Sequence, residues 1–174
     1  MKSCGKLGEA RLMSVKLKQL TFVLIMVIIM GFFQIAAASD LIVVADQSAQ
    51  ETSVNWFGFL ESKEVPFTVV LPEDFGNHKK ESYIVVMGTV GDTGTVRTLA
   101  KDALSAAELK SIEETETGEA FFKSDVWKPR QKVILFLGSD QEMADEARKS
   151  SKDHWWGMFV DWFEIEGSES LHLY

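Results

Sequence analysis

Between residues 40 and 138 the chain alternates solid apolar runs with segments whose apolar residues recur every three or four positions. Asp40-Leu-Ile-Val-Val-Ala-Asp46 is a continuous apolar run closed by polar residues, which predicts a strand buried on both faces. Ser48 to Lys63 reads as one helix, with Trp56, Phe59, Leu60 and Lys63 at helical spacing. Val65 to Leu71 is a second strand, with Pro66 tolerated near its beginning. Ser82 to Met87 is a third, after a polar loop. Val96, Leu99, Ala100, Ala103 and Ala107 then mark a helix with a narrow apolar stripe. Ser105-Ala-Ala-Glu108 has the form of a capping box, so a helix break is expected there, with a restart through Leu109 and Ile112.

Glu119 to Ser124 predicts a short strand, and Lys132 to Gly138 is the strongest strand in the chain. The link between them is too short for a helical crossover, so these two strands are expected to be antiparallel neighbours. Ser139-Asp-Gln-Glu142 repeats the capping box, with Ser139 as the expected N-cap of a helix through Met143, Ala144 and Ala147. Trp155 to Ile165 fits either a helix or a closing strand. Alternation of this kind predicts an α/β fold: a three-layer sandwich with a mainly parallel, mixed sheet.

The amino end adds an address. Lys2, Lys6, Arg11, Lys16 and Lys18 precede an apolar run from Leu20 to Phe33, and Ala36-Ala-Ala38 follows as a small-residue cleavage site. Residues 1–38 therefore read as a signal peptide, with Met13 a second possible start. The rival reading is an uncleaved anchor, since Leu20 to Ala38 approaches the roughly 20 residues that span a bilayer. Both readings export residues 39–174, which are expected to form a single α/β domain that is secreted, periplasmic or held at the cell surface, touching membrane only through an uncleaved leader.

Charge and cysteine content narrow the chemistry. The leader carries five of the 18 Lys and Arg and one of the 26 Asp and Glu, leaving 13 against 25, a net of −12. That sign repels phosphate backbones, so nucleic acid is not an expected partner. Cys4 is the one cysteine and lies in the leader, so the mature domain has neither a disulfide nor a thiol nucleophile.

Three glycines, Gly88, Gly91 and Gly94, follow the third strand in the order G-x-x-G-x-x-G. This is neither the dinucleotide fingerprint nor a P-loop, because no Gly-Lys-Ser/Thr follows. Asp92 would put a negative charge where a phosphate sits, and Asp92 or Thr93 serves better as a helix cap. The turn at Gly138-Ser139-Asp140 lies at the end of the strongest strand. If a ligand is held at the strand ends, Gly88, Asp92, Thr93, Ser139 and Asp140 are its candidate contacts.

No nucleophile elbow is present, and His78, His154 and His172 share no ligand spacing, so neither a catalytic set nor a metal or cofactor is predicted. The acidic run Glu113, Glu114, Glu116 and Glu119 reads as a solvated helix end.

Trp155, Trp156, Phe159, Trp162 and Phe163 fall within nine residues. Buried, they close one side of the sheet; exposed, Trp155 and Trp156 would offer a partner contact. Taken together, the glycine turn, the capped helix, the Trp127-Lys-Pro-Arg-Gln131 turn and the strand ending Gly-Ser-Asp resemble, over about residues 83–150, the α/β domains of archaeal and bacterial S-layer and cell-surface proteins. The resemblance implies a non-catalytic surface or envelope role, with an envelope or surface protein or a glycan as partner, and transfers no functional residue. The alternative is a small exported enzyme or ligand binder using the turns at 88–94 and 138–140. Amino-terminal sequencing of exported protein should find Ser39 or a neighbour as the first residue. A mature species that retains Leu20 to Phe33 would establish the anchor reading.

Overall fold

The computed structural model describes residues 40–91, 95–115 and 117–165. All of these belong to the unit that begins at Ala38, and the leader lies outside the described residues. The elements run β1 (Leu41–Ala45), α1 (Gln47–Thr52), α2 (Val54–Ser62), β2 (Phe67–Val70), a 3-10 turn (Phe75–Asn77) and β3 (Tyr83–Thr89). There follow α3 (Thr95–Ala103), α4 (Ala106–Thr115), β4 (Gly118–Ser124), β5 (Lys132–Gly138), α5 (Gln141–Ser150) and α6 (Lys152–Phe163).

The strands form one sheet in the order β2-β1-β3-β5-β4. The pairs β1–β2, β1–β3 and β3–β5 are parallel, with Val43 opposite both Val69 and Val85, and Val85 opposite Ile134. β4 returns antiparallel along β5, with Gly118 opposite Gly138 and Ser124 opposite Lys132, as the short link between them requires. The three central strands are apolar at nearly every position because helices cover both faces. On one face Ile42, Val44, Ile84, Val86, Val133 and Leu135 pack against Val96, Leu99, Leu109 and Ile112 of α3 and α4. On the other, Leu41, Val43, Val85, Ile134 and Phe136 meet Trp56 and Leu60 of α2 and Trp155 and Phe159 of α6. The molecule is an α/β sandwich of three layers.

Local chemistry sets the helix boundaries. The backbone N–H and the hydroxyl of Ser105 both donate to the Glu108 carboxylate at 2.8 Å, and Glu108 N–H returns a bond to Ser105 Oγ at 3.3 Å. This reciprocal box separates α3 from α4 where the sequence places the break. Lys123 reaches the same carboxylate from β4 at 2.5 Å. That hydrogen bond, with those from Ser105, holds the Glu108 carboxyl down at about 2.

One expectation is corrected here. Residues 48–63 are not one helix, because the chain turns at Ser53 (φ −100°, ψ 8°), whose N–H bonds to Gln50 O rather than one residue further back. Of the two readings left open for 155–165, the helix holds, within Lys152–Phe163. Its end is a left-handed cap at Glu164 (φ 50°), and Ile165 N–H reaches back to Val160 O at 3.2 Å.

The link from β4 to β5 is tied to the rest of the fold by Gln131, which is 0% exposed. Its Nε2 donates to Lys79 O at 3.0 Å and to Glu81 O at 2.8 Å, while its Oε1 accepts from Trp127 N at 3.0 Å. Every polar atom of the amide is used, which is what makes its burial tolerable.

Phe136 lies on β5 with its ring against Trp56 and Trp155. Phe136→Asp should abolish cooperative folding, since an unpaired charge there costs several kcal/mol, comparable to the stability of a small domain. A soluble variant with a sharp thermal transition would contradict this placement.

Candidate functional site

The carboxyl ends of β3 and β5 are where a parallel sheet presents its loops to a ligand. Here those loops touch. Val90 N–H donates to Gly138 O at 3.0 Å, and Ser139 N–H to Thr117 O at 3.3 Å. Arg97 braces the first turn by donating to Val90 O at 2.8 Å, and its guanidinium pairs with Glu113 at 2.5 Å.

The glycines answer to space rather than to phosphate. Gly88 has φ +148°, and a β-carbon on it would press on the Val96 side chain at 3.1 Å. A β-carbon on Gly91 would meet Ser139 O at 2.8 Å. Asp140, and not Ser139, is the N-cap of α5: its carboxylate accepts from Met143 N–H at 2.9 Å, one residue later than the sequence pattern suggests. Asp46 does the same for α1 by accepting from Ala49 N–H at 2.8 Å. Asp92, Thr93 and Gly94 lie outside the described residues, as do Glu116 and His172.

Of the two tryptophans singled out as partner contacts, Trp155 is 2% exposed and Trp156 is half-buried. Trp155 Nε1 donates to Arg148 O at 2.8 Å, while Trp156 sets its ring edge-on to Phe59 at 4.9 Å. His154 is exposed and lies against Phe122, with ring centroids 4.2 Å apart. No group of three metal-ligating side chains occurs among the described residues, and no helix among them is long and apolar enough to cross a membrane.

A different site emerges on the helical face. The pairs α1–α2 and α5–α6 each bend at a serine, Ser53 and Ser151, with nearly the same backbone angles (φ −100°, ψ 8° and φ −92°, ψ 13°). Between the two bends opens a cleft of about 310 Å³. α1 and α2 contribute Thr52, Asn55, Trp56 and Phe59; α5 and α6 contribute Asp145, Arg148, Lys149, Lys152 and Trp155. Gln141 ties the two sides together through Nε2, which donates to Thr52 Oγ1 at 3.2 Å.

The electrostatics of this cleft differ from those of the domain. Arg148 pairs with Asp145, and Lys149 reaches the other carboxylate oxygen at 3.0 Å. Burial pushes the Asp145 carboxyl up, but the hydrogen bonds from Arg148 and Lys149 outweigh it and hold the group below its ordinary value. The Arg148 guanidinium also lies 5.7 Å from the Trp56 ring centroid, and the Lys152 ammonium 5.4 Å from that of Phe59. Three cations thus face one carboxylate.

Four buried side-chain polar atoms among the described residues have no hydrogen-bond partner: Ser53 Oγ, Trp56 Nε1, Gln141 Oε1 and Arg148 Nε. Trp56 and Arg148 line the cleft, Ser53 follows its lining residue Thr52, and Gln141 is bonded to that same Thr52. The signal for this site was present in the sequence as Arg148, Lys149 and Lys152, three cations within five residues of a net acidic domain. It stayed hidden because the aromatic half comes from residues 52–59, almost a hundred positions earlier.

No protein-family model, curated protein or solved structure was found to match this chain.

Proposed function

We propose that this is an exported, non-catalytic α/β domain that binds an envelope or surface partner, a protein or a glycan. One observation carries the non-catalytic reading. Asp46 and Asp140, two carboxylates at the strand ends, are both used as helix caps, and the turn after β3 is tied to the end of β5 by Val90 N–H on Gly138 O. A carboxylate that accepts from a helix amino end is spent on the cap. The basic leader ahead of an apolar run and a small-residue site supports export. The resemblance of residues 83–150 to S-layer and cell-surface domains supports the envelope as destination.

Binding of the purified protein to isolated cell envelopes of its own organism tests this reading. Sedimentation should be saturable. The double variant Asp92→Asn, Asp140→Asn should bind as well as the wild type with a modest loss of stability, because Asn in place of Asp140 caps nearly as well. A folded double variant that no longer binds, or a catalytic turnover that it abolishes, would refute the non-catalytic assignment.

A further inference from the structure

We infer that the cleft between the bends of α1–α2 and α5–α6 binds a small organic anion, a carboxylate carried on a planar apolar body. The inference rests on the reading of this domain as a binder, and names a ligand class and a site for it.

The sign of the ligand follows from the groups that remain free to meet it. Arg148, Lys149 and Lys152 line the cleft against the single carboxylate of Asp145. The one carboxylate, Asp145, has its two oxygens turned to Arg148 and Lys149. A cationic guest would face an excess of positive charge with no free carboxylate oxygen to meet it. An anion would lie close to two ammonium groups beside the Arg148 guanidinium, the pairing that makes charge-assisted bonds strong.

The shape of the guest follows from the walls. Trp56, Phe59 and Trp155 give the cleft three aromatic side chains. A volume of about 310 Å³ is at the small end for small-molecule sites. An inorganic anion would leave the aromatic surface unused, whereas a ring-bearing carboxylate of benzoate or phenylacetate size covers it. The domain carries net negative charge, so a polyanion would be repelled by much of its surface.

Titration of the full chain with benzoate and phenylacetate, followed by the Trp56 indole N–H resonance, tests the site. The expected result is a saturable shift of that resonance, with benzylamine and inorganic phosphate binding at least about tenfold more weakly. The surface pair Lys149→Gln, Lys152→Gln should weaken benzoate about tenfold and flatten the dependence on salt. Absence of a saturable shift, equal binding of phosphate, or unchanged affinity in the lysine pair would overturn the inference. Envelope sedimentation of the same samples separates the two readings. Loss of carboxylate binding with envelope binding intact overturns this site alone.

Discussion

The fold depends on a single aromatic interlock on one face of the sheet. Trp56 of α2 meets Phe136 of β5 at 6.3 Å and 86°, and Trp155 of α6 at 5.9 Å and 88°, both edge-on. Phe159 closes the group at 5.3 Å from Trp155. A near-central strand and both helix pairs therefore converge on a few rings, in the edge-to-face geometry that the ring quadrupoles favour. The opposite face is built differently, mostly from aliphatic residues with Phe75 and Phe121 among them, and with one capped helix bend.

The cleft is a by-product of this interlock. Two helix pairs that bend at Ser53 and Ser151 cannot lie flush along their whole length, and the space between the bends is floored by the same rings that hold the core. Packing them more closely would bury Lys149 and Lys152 against Phe59 and Trp56. Burying those charges is expensive, so the opening remains and the cations line it. In the same way the strand ends spend polar groups on the fold: Asp46 and Asp140 are caps, Val90 N–H bonds to Gly138 O and Ser139 N–H to Thr117 O.

Strand positions were legible because both faces of β1, β3 and β5 are covered, which leaves continuous apolar runs that no helix of this length would show. The Ser105–Glu108 box was legible because it is local chemistry, four residues long. The bend at Ser53 was not, since Trp56, Phe59 and Leu60 keep helical spacing on either side of it and a single turn barely disturbs that period. Asp140 displaced Ser139 as cap because both are good cap residues and only the path of the chain out of β5 selects between them. Trp155 to Ile165 was ambiguous for a related reason: a dense aromatic run fits both periods, and the contacts that decide it come from residues 56–59 and 136.

The claim on which the rest stands is that Trp56 and Trp155 hold the two helix pairs together as one unit. A double-mutant cycle with Trp56→Leu and Trp155→Leu, read by chemical denaturation, measures that contact directly. A favourable coupling of about 1 kcal/mol is expected for an edge-on pair that is buried. Additive losses would mean that each helix pair is held by the sheet alone, and that the cleft between them is not a built feature of the fold.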